Sequence, residues 1–469
     1  MVNTGALAAS NLWRIAISFV LQVLIARGLG LAGLGQYTIA LAYLNVCQVV
    51  SELGLPGLLV RDLAQAPRQR RTYFRIALAI QISCALLTWG GLVLIATWLP
   101  LGEEMRTALR IVGVSLPFYA VTSVTQTFFQ AGERMDLVMG VEVLINTLIL
   151  GVSVAVLGLG GGVTQLVGVM VWTQIVSAVL GLLLLWRTGL ISGPQEPVAF
   201  NLAQLWRRIG PFYGLALADV LLQRVDILLL SVIGDATLTG IYSAAYNLVR
   251  VALKLVQSFW KALYPTLSRL QGGAVQAYAR LATLGLYYAL LIVLPLAALS
   301  TGVAVEILQL VYGAERGQIA PVFQILIWSV PFFLLENYAV TLFMVEQRAW
   351  QSLAIIGLHV LTILVGLPLL TVALHTTGAA WSAVLAGGVG AISSLWWLRR
   401  LHMPIGLSRV GLIVAASTVA GLACALLPWP WWVRLLIGGL LYLFLLVGGG
   451  GIAASDRQAF RTALFGRNE

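Results

Sequence analysis

Ionisable side chains at Asp219, Arg224, Asp226, Arg250, Lys254 and Lys261 interrupt a stretch, residues 213–270, that otherwise reads as two long apolar segments joined by a tight turn at Gly234-Asp235-Ala236-Thr237. A charged group at the centre of a membrane helix costs about 2.5–3.5 kcal/mol and persists mainly where it faces a bundle interior or a water-filled path. The second segment arranges its charges on one face. With about 100° between successive residues of a helix, Arg250, Lys254, Gln257 and Lys261 fall within about 60° of one another, and Asn247 and Ser243 extend the stripe toward the helix start. Leu248, Val251, Leu255, Phe259 and Ala262 fall on the opposite, apolar face. Lys254 and Lys261 are the only lysines in the chain. A face of this composition suits an anion and disfavours a cation. In the first segment Arg224 and Asp226 point about 200° apart and cannot share a face, whereas Asp219, Gln223 and Asp226 do. Asp226, with Asp219, is a candidate for ion coupling or for an interhelical pair.

The elements that position these groups follow from composition. The chain has 469 residues, 60% hydrophobic and 10% charged, with a mean hydropathy of +0.95. It contains no long polar segment, and reads as an all-α polytopic membrane protein. A helix of about twenty apolar residues spans a bilayer, and the polar breaks leave about fourteen such segments. They run at 7–29, 34–60, 74–99, 108–130, 137–158, 164–186, 209–233, 238–264, 281–302, 319–345, 351–373, 378–398, 408–427 and 432–454.

The net charge of +11 belongs to orientation, not to nucleic acid. With the N-terminus set in the cytoplasm, Arg61, Arg68, Arg70, Arg71, Arg75, Arg134, Arg187, Arg207, Arg208, Arg269, Arg280, Arg348, Arg399, Arg400, Arg409, Arg457, Arg461 and Arg467 gather on the inner side of this topology, against Arg27, Arg106, Arg110, Arg316 and Arg434 on the outer. The positive-inside rule then places both termini in the cytoplasm. Trp98, Trp429, Trp431 and Trp432 fall at outer ends, as an interfacial aromatic belt requires. The basic stretch 61–75 also suits anionic lipid, at about 1 kcal/mol per residue. Cys47, Cys84 and Cys424 lie inside apolar segments and imply no disulfide framework. The first segment reads as a retained helix, not a cleaved signal.

An internal repeat organises the segments. An offset of 205 residues sets Gly35 on Gly240, Tyr37 on Tyr242, Asn45 on Arg250 and Glu52 on Gln257; an offset of 214 sets Pro117-Phe118-Tyr119 on Pro331-Phe332-Phe333 and Arg134 on Arg348. The expected division is a six-helix lobe over 1–190, a cytoplasmic linker over 191–208, a second six-helix lobe over 209–400, and two extra helices with a cytoplasmic tail over 401–469. An even number of helices per repeat keeps both copies in the same orientation, an arrangement known in transporters that bind their cargo at the repeat interface. The polar stripe Asn45, Gln48 and Glu52 of the second segment would then face that of 238–264 across a central cavity. Arg14, in the first segment, either reaches the cytoplasmic interface or faces the same cavity.

Several chemistries are excluded. The sequence lacks the glycine-rich phosphate loop G-x-x-x-x-G-K-[ST], since neither lysine follows a glycine. Metal-ligand clusters are absent, and His359, His375 and His402 are scattered and read as packing or interface residues. No cofactor and no metal is expected. A membrane polymerase or ligase would need acidic residues in a sizeable external loop, and Glu103-Glu104 before Arg106 is accounted for as a solvated first turn. No catalytic residue is assigned.

At this point the residues resemble a known family. Leu-Gly-Gln-Tyr at 34–37, GLPGLLVRDLA at 54–64, QRVD at 223–226, GIYSAAYNL at 240–248 and Tyr264-Pro265 resemble the oligosaccharide (O-antigen/polysaccharide) flippases of the multidrug/oligosaccharidyl-lipid/polysaccharide exporter superfamily. The resemblance implies a fold of two six-helix lobes and alternating access. It also implies export of an undecaprenyl-diphosphate-linked oligosaccharide to the outer leaflet of a bacterial-type cytoplasmic membrane, alongside polysaccharide polymerase or glycosyltransferases of the same pathway. On that reading Arg14, Arg224, Arg250, Lys254 and Lys261 meet the diphosphate, and Asn45, Gln48, Asn247 and Gln257 meet the glycan. Charge-assisted hydrogen bonds would replace the diphosphate's hydration. Arg250 and Lys254 alternatively pair with Glu52 or Asp226 to fix packing, Lys261 sits near the cytoplasmic mouth, and Glu52, Asp219 and Asp226 are the candidates for ion coupling. A lipid II flippase or a multidrug antiporter of the same superfamily are the alternatives within transporters; a polysaccharide polymerase or ligase is the alternative of another class.

Overall fold

The computed structural model describes residues 2–65, 69–191, 202–405 and 410–451. Among them there is no strand, and each of the fourteen expected segments coincides, over most of its described residues, with helix. Among the described residues nine helical stretches are long and apolar enough to cross a membrane. Two of these hold two expected spans each. Helix α1 (Val2–Glu52) turns at Gly30, whose φ of 71° leaves the helical region; glycine reaches positive φ without a Cβ penalty. Helix α14 (Ala349–Arg400) turns at His375 in the same way, with φ 51°. Helices α8 (Leu202–Ile233) and α9 (Ala236–Gln271), which carry the charged stretch, are separate from those nine, as is the shorter α15 (Val410–Leu426).

Three expected spans are each divided. The 34–60 segment ends at Glu52, turns through Leu53 and Gly54 at φ 52° and 73°, and resumes as α2 (Leu55–Gln65). The 108–130 segment is split into α4 (Glu103–Gly113) and α5 (Ser115–Ala131), and 319–345 into α12 (Arg316–Leu326) and α13 (Ser329–Val345). Proline is the physical reason in the last two. Pro117 and Pro331 stand in the first turn of α5 and α13, where a missing N–H costs nothing, and would break a continuous helix. The remaining elements are α3 (Arg70–Trp98), α6 (Met135–Gly158), α7 (Val163–Arg187), α10 (Val275–Gly302), α11 (Ala304–Tyr312) and α16 (Trp431–Gly448).

The chain packs as two compact units, 1–240 and 241–469. The boundary between these units falls within α9; of the expected linker, residues 192–201 lie outside the described residues and 202–208 belong to α8. In the first unit α8 packs on α1 and α2, and α2 lays Leu55, Leu58, Leu59 and Leu63 against Phe128, Phe129 and Leu185. In the second unit α13 packs on α14, and α15 on α10 and α16. The C-terminal additions are tied down at specific points: Arg434 pairs with Glu306 and donates to the Cys424 carbonyl at 3.1 Å, and the Tyr442 hydroxyl donates to the Leu291 carbonyl at 2.7 Å. Trp98, Trp429, Trp431 and Trp432 are exposed, as interfacial residues would be.

Candidate functional site

Each unit carries one polar face. In the second unit it runs along α9 and opens progressively: Ser243 and Asn247 are buried, Arg250, Lys254 and Gln257 half-buried, and Lys261 exposed. The opposite side, with Val251 at 41% and Leu255 at 63% exposure, is the apolar surface the periodicity requires. Amides on the same helix hold both central cations. Arg250 Nη2 donates to Asn247 Oδ1 at 2.7 Å, and Lys254 Nζ to Gln257 Oε1 at 3.1 Å. Both pairs are three residues apart, where helical side chains meet. Tyr312 of α11 lies against Asn247 and Arg250, its hydroxyl donating to the Ala244 carbonyl at 3.0 Å. A neutral amide orients a guanidinium or ammonium without cancelling its charge.

In the first unit Asn45, Gln48 and Glu52 share one face of the second limb of α1 and are half-buried. Asn45 Nδ2 donates to the Leu41 carbonyl one turn back at 2.8 Å. Glu52 is engaged with α5: its Oε1 accepts from the Tyr119 hydroxyl at 2.7 Å and from Ser123 Oγ at 2.8 Å. This carboxylate joins the end of α1 to α5. Arg224 and Asp226 are half-buried on α8, and Asp226 Oδ1 accepts the Ile227 amide at 2.8 Å. The side chain of Asp219 lies outside the described residues. Arg14 is exposed on the first limb of α1, beside Trp13, whose Nε1 donates to Thr147 Oγ1 at 3.2 Å. The structure thus gathers Asn247, Arg250, Lys254, Gln257 and Lys261 on one helix face. Asn45, Gln48 and Glu52 share another, and Arg14 sits near the middle of the first limb of α1.

Sequence reasoning passed over Glu336. It is 6% exposed in the middle of α13, and its Oε2 lies 2.7 Å from Nδ1 of His359 on α14. His359 therefore has a polar partner in the helix interior and is more than a packing residue. The signal was available: Glu336 is a carboxylate inside an apolar run, which by itself marks a position worth testing. Among the described residues no group of three or more His, Cys, Asp or Glu could hold a metal ion.

A family model described as polysaccharide biosynthesis protein matches residues 1–271. No curated protein matches the chain. Among solved structures, the lipid II flippase MurJ in an inward closed conformation superposes with a TM-score of 0.74 at 13% identity, covering 95% of this chain and 98% of that one. A multidrug resistance MATE family transporter of the MOP superfamily, inward-facing, gives 0.66 at 13% identity over 83% and 95%. A MOP superfamily transporter from Pyrococcus furiosus gives 0.51 at 14% identity over 88% and 94%. At these identities the likeness establishes the fold.

Proposed function

The chain belongs to the polysaccharide biosynthesis protein family, and from that premise we propose that it flips an undecaprenyl-diphosphate-linked oligosaccharide from the cytoplasmic to the outer leaflet by alternating access. It acts as a transporter and not as an enzyme, in a bacterial-type cytoplasmic membrane with both termini in the cytoplasm. The observation that carries this reading is the α9 face, where Arg250 and Lys254 are each oriented by an amide of the same helix.

The physical demand is specific. A diphosphate has to cross an apolar thickness of about 30 Å, and its charge needs a replacement for water along the way. Arginine offers a planar fork that engages two phosphate oxygens at once, and lysine a compact point charge. Charge-assisted hydrogen bonds of this kind are about twice as strong as neutral ones. The glycan, uncharged and rich in hydroxyls, suits amides, which Asn45, Gln48, Asn247 and Gln257 supply. Arg14, Arg224 and Lys261 extend the supply of cations. Polymerases or glycosyltransferases of the same pathway are the partners this cargo implies.

The deciding experiment is flipping of a lipid-diphosphate-linked oligosaccharide in proteoliposomes, comparing the wild type with Arg250→Ala/Lys254→Ala. The wild type is expected to transport, and the double variant, inserted and melting normally, to lose transport. Equal transport by both would reduce the α9 face to packing. Lipid II and a quaternary-ammonium drug run in parallel identify a different cargo if the wild type moves one of them instead.

A further inference from the structure

A membrane protein seldom keeps an acid and an imidazole in contact at mid-depth without using them. Glu336 lies roughly ten residues from the end of α13 at Val345, His359 roughly ten from the start of α14 at Ala349, and Gly390 roughly ten from its end at Arg400, each about 15 Å along its helix. That is half of an apolar core of about 30 Å. Oε2 of Glu336 and Nδ1 of His359 are 2.7 Å apart, with side-chain exposures of 8% and 20%. The second limb of α14 makes room for them. A Cβ at Gly390 would stand 2.6 Å from Glu336 Oε2 and 3.4 Å from His359 Nδ1.

From this geometry we propose that Glu336 and His359 form a binding site for one exchangeable proton, taken up and released as the transporter changes conformation. The assignment adds a coupling ion to the function proposed above and rests on that reading only for the cargo. Proton accounting supports it. At this separation one proton already lies between Nδ1 and Oε2, whichever atom holds it. With a neutral imidazole and an ionised carboxylate the site carries a charge of minus one. One more proton makes it imidazolium with carboxylate, or imidazole with carboxylic acid, and neutral in either form. Low-dielectric surroundings penalise the charged form and water relieves that penalty, so opening the site to one aqueous side or the other changes its proton occupancy.

Two further observations favour a proton site over a packing contact. The repeat offset of 214 sets Glu336 opposite Thr122 of α5, which accepts a neutral hydrogen bond from Gln174 Nε2 at 2.9 Å. The first unit meets the packing demand at this place without charge. Along α14, moreover, the buried hydroxyls of Ser352 and Ser394 lie toward the Arg348 and Arg400 ends, and those of Thr371 and Ser382 toward the His375 turn. None of the four has a hydrogen-bond partner. Open hydroxyls on both sides of the pair are the groups a proton path requires.

The titratable neighbours are otherwise committed or remote. Helices α10, α12 and α14 pack on α13, and α9 meets it where Trp260 lies 5.2 Å from the Tyr338 ring; on α9, Arg250 donates to Asn247, Lys254 donates to Gln257 and Lys261 is exposed. From α10, Tyr278 donates to Glu346 and Tyr287 to the Gly451 carbonyl, Tyr288 stacks on Tyr287, and Arg280 is exposed at the helix start. On α13 itself Tyr338 donates to the Pro404 carbonyl. On α14, His375 is at the turn, and Arg399 and Arg400 are at the end, with Arg400 lying over Trp396 and Trp397. The Arg316 side chain of α12 lies outside the described residues.

The chain has three histidines, so nitrogen-15 histidine labelling of the full protein in liposomes can watch this site directly. His375 and His402 are replaced by Asn, which tolerates their positive φ, leaving His359 as the labelled imidazole. Its signals are expected to change in one step between about pH 5 and about pH 9. Glu336→Gln, which keeps the side chain's shape, is expected to lower the midpoint by a pH unit or more, because the imidazolium loses its counter-charge. A pH gradient across proteoliposomes is expected to change wild-type flipping several-fold and to leave Glu336→Gln and His359→Gln unresponsive. An imidazole that stays in one state throughout, a midpoint unmoved by Glu336→Gln, or equal gradient responses in all three proteins would overturn the proposal. The titration needs no cargo. A normal titration with no flipping by the wild type counts against the oligosaccharide and supports the proton site.

Discussion

At the residue scale, the carboxylates of Glu52 and Glu336 answer to different amounts of information. Glu52 is visible in the sequence because it extends an i, i+3, i+7 polar stripe with Asn45 and Gln48. Its partners are not, since Tyr119 and Ser123 come from a helix more than sixty residues away. Removing the carboxylate leaves two hydroxyls without an acceptor, which costs about 1–3 kcal/mol. Glu52→Ala is therefore expected to lower the melting temperature in detergent, and Glu52→Gln, which keeps an oxygen acceptor, to lower it less. Equal losses would mean that the charge, and not the acceptor geometry, holds α1 to α5. Glu336 is equally visible as a lone acid in an apolar run. What is hidden is His359 at 2.7 Å, because side chains that meet across two helices leave no periodic trace.

At the element scale, the repeat is the most legible feature, and the structure supplies its reason. The matched residues Glu133 and Gln347 take up left-handed φ of 57° and 58°, immediately before Arg134 and Arg348, which head α6 and α14. The matched glycines Gly35 and Gly240 meet each other. A Cβ on Gly35 would stand 1.7 Å from the Ala236 carbonyl oxygen, and one on Gly240 1.8 Å from that of Leu31. Backbone crosses backbone here, so glycine is required for space and not for conformation. Gly240→Ala has to separate α1 from the start of α9, at the upper end of the roughly 1–3 kcal/mol that overpacking costs. A fall of several degrees in the melting temperature is expected, whereas Gly90→Ala, with nothing within 4 Å of its Cβ, should change little. The divisions of three spans were less legible. Pro117 and Pro331 were on view, but whether a proline ends a helix or opens the next depends on which side the preceding turn packs.

At the scale of the whole molecule, orientation is the property that arginine placement predicts and labelling can check. Gly102 and Gly273 have open space where a Cβ would stand, and they fall in loops assigned to the outside and the inside. A membrane-impermeant maleimide is expected to label Gly102→Cys in intact cells and Gly273→Cys only after permeabilisation; the reverse pattern would invert the topology and with it the direction of flipping. Hydropathy and charge alone determined that this chain is an all-helical, multi-pass membrane protein with a repeat and a cationic face on α9, because those features are written in periods of 3.6 residues and runs of about twenty. Tertiary structure alone decided that Glu52 engages α5, that Gly35 and Gly240 touch, and that an acid and an imidazole meet at mid-depth. Each of these depends on which faces of distant helices come together, and contacts between residues far apart in the chain carry no local signature.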